Sequence, residues 1–147
     1  MTTTAPQPLT PVQLHVIADL ARGLTAPQIA ANHNITHYAV YGRIASAAAL
    51  VGITSQAPAL VNYAYAAGYL RRLAPEPRPP ADLTPKLREV LRLTAEGRAL
   101  REIARELGLS VHAANERRRR LFALLGARNR AHAVALGWQA GLLGPRP

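Results

Sequence analysis

The feature that most constrains this chain of 147 residues is that its pattern occurs twice. Leu9-Thr10-Pro11 returns as Leu83-Thr84-Pro85, an offset of 74 residues. The same offset aligns Gly23 with Gly97, Ile29-Ala30 with Ile103-Ala104, Ile35 with Leu109, Arg43 with Arg117 and Gly52 with Gly126. With one residue dropped, Ala67-Gly68-Tyr69-Leu70 matches Ala140-Gly141-Leu142-Leu143. Spaced agreement of this kind makes one supersecondary unit, used twice, the basis of the architecture. Between the copies, Ala74-Pro75-Glu76-Pro77-Arg78-Pro79-Pro80-Ala81-Asp82 reads as a polyproline-type spacer. Fully extended at ~3.1 Å per residue, residues 71–82 reach ~37 Å. The chain therefore divides into a tail (1–8), a first unit (9–70), a Pro-rich linker (71–82), a second unit (83–143) and a tail (144–147).

Each unit reads as four short helices. Val12, Val16, Ile17 and Leu20 recur at helical spacing, as do Leu87, Val90 and Leu91. Thr10-Pro11-Val12-Gln13 combines a capping hydroxyl, a proline at the first helical position and a Gln three residues after the cap. Thr25-Ala26-Pro27-Gln28 repeats that signature and opens a short helix through Asn32, whereas Ala99-Leu100-Arg101-Glu102 lacks the hydroxyl. The last helices span about Ala57–Leu70 and Asn129–Leu143. Leu107-Gly108-Leu109-Ser110 is a tight turn, with Gly supplying a positive φ and Ser110 capping the next helix. Its counterpart is His33-Asn34-Ile35-Thr36, where Asn34 tolerates the left-handed conformation. Short helix, turn, apolar residue, Ser/Thr cap and longer helix spell a helix-turn-helix.

At these residues the chain resembles the LuxR (GerE-type) DNA-binding domain, present twice. The second unit carries the likeness in Ile103-Ala104, Leu107-Gly108-Leu109-Ser110, Ala114, Leu121 and Leu125-Gly126. The first carries it in Ile29-Ala30, Ile35-Thr36, Val40 and Val51-Gly52. The fold class so implied is all-α, two tandem four-helix LuxR/GerE-type helix-turn-helix domains joined by the Pro-rich linker. The receiver or ligand-binding domain that the family often couples to this one has no counterpart in these residues.

On a helical wheel advancing ~100° per residue, Ala114, Leu121 and Leu125 share the core-facing side. His112, Asn115, Glu116 and Arg119 fall opposite, where a recognition helix meets base edges, and Arg118 and Arg120 flank them toward the phosphates. Arg pairs bidentately with guanine, Asn with adenine, and Glu accepts from a cytosine amine. Arg117 lies nearer the core edge, where the family usually has a histidine, and Arg101 matches a phosphate-contacting lysine of the family. In the first unit the outward face carries Tyr38, Tyr41, Gly42 and Ala45, with Arg43 as its only cation and Pro27 at the lysine position. That face fits secondary DNA contacts or a partner-binding surface. An apolar stripe of Ala131, Val134, Ala135 and Trp138 either covers its own core or pairs domains. Pairing takes the form of a homodimer or of an intrachain pseudo-dimer.

Charge agrees with the leading reading. Residues 1–74 hold four Arg and one Asp, whereas residues 75–147 hold 14 basic and seven acidic side chains, so most of the net +10 sits in the second unit. Such an excess calls for an acidic partner. Ile44 to Leu70 contains no charge, but Gly52 to Pro58 interrupts it with turn chemistry, which argues against a membrane span. The amino-terminal residues have neither the basic nor the apolar region of a signal peptide, so the expected location is cytoplasmic. With no cysteine, a disulfide scaffold, a thiolate metal site and a cysteine nucleophile are excluded. His33 and His37 straddle a turn without a third ligand, and Glu102 and Glu106 sit among Arg98, Arg101 and Arg105 as a salt-bridged helix face. No catalytic residue, metal site or cofactor is expected, and the chain does not read as an enzyme. The leading expectation is a transcriptional regulator that reads double-stranded DNA mainly through residues 111–124. The alternative is an interaction module for a sigma factor, RNA polymerase or another regulator.

Overall fold

A computed structural model describes residues 8–77 and 82–144. The expectations for residues 1–7, for residues 78–81 of the linker and for residues 145–147 lie outside the described residues. Helix is the only regular structure among the described residues, in the order α1 (Pro11–Ala21), α2 (Ala26–His33), α3 (His37–Val51), α4 (Ala57–Ala66), α5 (Pro85–Ala95), α6 (Leu100–Leu107), α7 (Val111–Leu125) and α8 (Arg130–Gln139). The repeat is reproduced in length: α1 and α5 have 11 residues, α2 and α6 have 8, α3 and α7 have 15, α4 and α8 have 10. None of these helices is long and apolar enough to cross a membrane.

Local chemistry explains most of the starts. Thr10 Oγ1 accepts from the Gln13 N–H at 3.2 Å while Gln13 Oε1 accepts from the Thr10 N–H at 2.9 Å, and Thr25 and Gln28 do the same for α2. At α6 only half of that box survives: the Ala99 N–H donates to Glu102 Oε1 at 3.0 Å, with no side-chain oxygen to satisfy the helix's own free N–H groups. The last helices end earlier than the sequence suggests. α4 stops at Ala66 and α8 at Gln139, because Gly68 and Gly141 turn into the left-handed region two residues on.

The eight helices do not segregate into two separate cores. One buried cluster collects Val16, Ile17, Leu20, Ile29, Val40 and Leu60 from the first half, and it takes in Ala131, Val134 and Ala135 of α8. The opposite side of α8, Ala133 and Leu136, packs with Leu87, Val90, Leu91, Leu121 and Leu125 of the second half. Residues 131–137 are therefore buried all round, the signature of a helix inside a core and not of a surface helix. The apolar stripe seen in the sequence is thus covered by the other half of the same chain.

The contact between halves is reciprocal. α4 packs on α8, α1 touches α8, and α5 touches α4. At the α1–α2 turn Gly23 (φ +83°) lies so close to α8 that a Cβ there would sit 2.9 Å from His132 Cγ. At the α5–α6 turn Gly97 (φ +84°) meets α4, where a Cβ would sit 3.0 Å from Ala59. Ala59 and His132 are each the third residue of their helix, so the same close approach is made twice, in opposite directions.

Residues 74–77 of the linker are hydrogen-bonded to both halves. Arg22 Nη2 donates to the Ala74 carbonyl at 2.6 Å, and the Glu76 N–H donates to Gln139 Oε1 at 2.9 Å. Glu76 Oε2 lies 2.8 Å from Nε2 of His132, a residue 3% exposed. With the halves packed directly, the linker's ~37 Å extended reach does not set their separation.

Candidate nucleic-acid interface

The second helix-turn-helix is built by α6, Gly108-Leu109-Ser110 and α7. Gly108 takes φ +65°, and its N–H and that of Leu109 fold back on the carbonyls of α6, with Leu109 to Ala104 at 2.8 Å. Ser110 Oγ then accepts from the Ala113 N–H at 3.0 Å and starts α7. Asn34 at φ +55° and Thr36 repeat this arrangement between α2 and α3.

α7 is oriented as its periodicity requires. Ala114, Leu121 and Leu125 are fully buried, which turns His112, Glu116, Arg119 and Arg120 to solvent and leaves Asn115, Arg117 and Arg118 half-buried. Three environments follow. On the outer edge Arg119 Nη1 lies 3.6 Å from Glu116 Oε1, both side chains more than half exposed, a pair weak enough to be exchanged for another partner. On one flank Arg118 Nη2 donates to Asn115 Oδ1 at 3.1 Å, and its guanidinium carbon stands 6.0 Å from the Phe122 ring centroid. Burial, with a smaller contribution from the nearby Arg130 charge, lowers the Arg118 pKa from its ordinary value. This guanidinium is thus partly desolvated, close to a second cation and without a carboxylate partner among the described residues. On the other flank Arg117 and Arg120 hold no ion pair among the described residues.

Elsewhere in the second half two arginines are held by carboxylates. Arg92 pairs with Glu89 and Glu96, and Arg98 lies 3.7 Å from both Glu96 and Glu102. The Arg92 hydrogen bond holds the Glu89 carboxyl below its ordinary pKa. Unpaired cations among the described residues of this half include Arg117, Arg118 and Arg120 on α7, and Arg101, which is exposed near the start of α6.

The wheel did not reveal the partners of Arg118. Phe122 is four residues on, a spacing at which contact is expected, but Arg130 belongs to α8 and only tertiary packing brings it near. On α3, Tyr38 is 76% and Tyr41 57% exposed, with the His37 ring 4.3 Å from Tyr38 and 6.4 Å from Tyr41. Arg43 is half-buried, and this face carries no other cation. His33 binds Asp19 at 2.7 Å, and no cluster suited to a metal ion occurs among the described residues.

Residues 81–136 match the luxR family of bacterial regulatory proteins (GerE), so this segment is a LuxR/GerE-type helix-turn-helix domain. The chain is also 37% identical over 82 residues to the transcriptional activator protein BjaR1 of Bradyrhizobium diazoefficiens. That alignment covers 55% of this chain and 34% of BjaR1, so the chain corresponds to about a third of the relative's length. No solved structure matches.

Proposed function

We propose that this protein is a sequence-specific, double-stranded DNA-binding transcriptional regulator that inserts α7 in the major groove. The observation that carries this reading is the arrangement on α7. An exposed polar edge (His112, Glu116, Arg119), with the half-buried Asn115 beside it, is bordered on both sides by arginines that have no carboxylate partner among the described residues, in a segment that matches a family of bacterial regulatory proteins. Base edges are read by hydrogen-bonding side chains at the centre of such a helix, and phosphates are held by cations at its sides. Arg117, Arg120 and Arg101 contact phosphate in this reading. Arg118 exchanges its bond to Asn115 for a phosphate, which frees the Asn115 amide to accept and donate together at adenine. Glu116, released from Arg119, selects against registers that bring it to a phosphate.

The two halves are proposed to be two LuxR-type domains paired within one chain, the first divergent. Equal helix lengths and the reciprocal packing of Gly23 on α8 and Gly97 on α4 support that view. A second reading, favoured by the exposure of Tyr38 and Tyr41, makes α3 a docking face for a protein of the transcription machinery.

Binding to duplex DNA, followed by fluorescence anisotropy across a salt series, tests the principal reading. Affinity is expected to fall steeply with salt, and Arg120→Ala to reduce the slope by about one, the release expected from a single phosphate contact. Salt-insensitive binding, or none to any duplex, sinks the proposal. Unchanged DNA affinity in Tyr38→Ala/Tyr41→Ala, alongside loss of regulation in cells, would favour the protein-docking role for α3.

A further inference from the structure

Beside α7, on the flank opposite Arg118, the structure has an open cleft of about 600 Å³ that belongs to neither the base-reading edge nor the core. Arg117 and Arg120 form one side and Lys86, the second residue of α5, stands on the other, with Leu87 and Leu124 as apolar lining. Asp82 is the one acidic residue there, so three cations face one carboxylate, and none of the four is engaged in an ion pair among the described residues. Three like charges brought to one cleft repel one another unless an anion joins them.

The repeat provides an internal comparison. At the equivalent positions of the first half stand Val12, Arg43 and Ser46, one cation where the second half has three. Leu50 stands where the second half has Leu124, and Gln13 where it has Leu87, so the first half has lost two of the three cations and part of the apolar lining. Lys86, the only lysine of the chain, thus adds charge in the half whose recognition helix is arginine-rich.

We infer that Lys86, together with Arg117 and Arg120, forms a clamp for the sugar-phosphate backbone of one DNA strand, so that the first turn of α5 belongs to the interface. The inference rests on the DNA-binding reading of α7. A helix lying in the major groove has one strand on each flank, and this cleft lies along the flank that Arg117 and Arg120 define. Ammonium and guanidinium groups hold the phosphate oxygens, while the exposed Leu124 accommodates the apolar face of deoxyribose. The geometry is fixed by the Thr84 cap, whose Oγ1 accepts from the Leu87 N–H at 3.3 Å and sets where α5 begins.

The test is the salt dependence of binding of the full chain to a short mixed-sequence duplex, since a backbone contact needs no particular sequence. Lys86→Gln is expected to lower the slope of log affinity against log salt by about 0.9, and to weaken binding several-fold at ~0.1 M salt with little effect near 1 M. Arg88→Gln serves as the control, because it removes the same charge from the same helix at an exposed position outside the cleft. An unchanged slope in Arg88→Gln beside a reduced one in Lys86→Gln supports the clamp. Equal effects in the two variants, or a wild-type slope in Lys86→Gln, overturn it and leave the reading of α7 intact. A wild-type chain without affinity for any duplex overturns both. Wild-type circular dichroism and melting in both variants exclude misfolding as the cause.

Discussion

Gly42 lies in the middle of α3, exposed, and a Cβ built there meets no atom within 4 Å. Glycine in a helix interior costs about 0.5–1 kcal/mol relative to alanine through lost backbone entropy. Nothing inside the molecule offsets that cost. Gly42→Ala should therefore stabilise the chain by about that amount, read as a rise in the urea midpoint. If a partner approaches the α3 backbone closely, the same variant binds that partner less well while folding better, which makes it a probe of the face carrying Tyr38 and Tyr41. Gly97 is the opposite case. Its left-handed φ alone costs an L-residue roughly 1–2 kcal/mol, and an added Cβ would lie 2.9 Å from Thr54 Cγ2 and 3.0 Å from Ala59. Gly97→Ala is expected to lower stability by at least about 2 kcal/mol, with Gly23→Ala close behind because it meets His132 in the equivalent way. A cost no greater than the ~1–2 kcal/mol of the left-handed φ would mean that the α5–α6 turn does not pack on α4. The sequence marks both Gly23 and Gly97 as helix ends, because turn chemistry is local. It cannot show that each also abuts the other half, since a glycine that closes a turn and one that admits a neighbour are spelled alike.

Among the helices, α6 has the most to gain from a single atom. Its N-cap position, Ala99, already has the extended backbone of a cap (φ −70°, ψ 156°) and an exposed side chain, and the Glu102 carboxylate already accepts from its N–H. Only the hydroxyl is missing. Ala99→Ser should complete the capping box that Thr25 and Gln28 form at α2 and add about 1 kcal/mol. The reverse change at the start of α7, Ser110→Ala, removes an existing cap and should cost a similar amount, about 1 kcal/mol. Thermal denaturation of the two variants, scored as opposite shifts in Tm, checks both. These starts are legible in the sequence because a cap is made by residues three apart. The exits of α4 and α8 are less so: an alanine-rich run extends the helical pattern toward Leu70 and Leu143, but Gly68 and Gly141 end it sooner. The outward edge of α7 is readable from Ala114, Leu121 and Leu125 alone. The environment of Arg118 is not, because Arg130 reaches it from another helix.

At the scale of the whole molecule, the repeat suggests two beads on a proline-rich string, yet the packing makes a single body. The apolar stripe Ala131, Val134, Ala135 and Trp138 has the same spacing whether it covers its own core, a second chain or the first half, so only the fold distinguishes them. Two devices hold the halves together. Glu76 ties residues 74–77 to His132 and Gln139, and the Arg128 N–H donates to His132 Nδ1 at 3.1 Å, which leaves Nε2 as the donor to Glu76. Glu76→Ala leaves that buried ring nitrogen without its acceptor and should cost about 1–3 kcal/mol. The second device is Trp138, stacked on Tyr65 at 5.8 Å with its Nε1 donating to Asn62 Oδ1 at 2.8 Å, so that both of its contacts cross from α8 to α4. As the only tryptophan in the chain, its fluorescence reports the junction between halves, whereas far-ultraviolet circular dichroism reports all eight described helices. A molecule whose two halves share a core has no stable state in which only the junction is lost, so the two signals should trace one urea transition with a common midpoint. Glu76→Ala should move that transition to lower urea without splitting it. A tryptophan transition that precedes the loss of helix would instead mean that each half folds alone and that α8 takes its stability from the second half only.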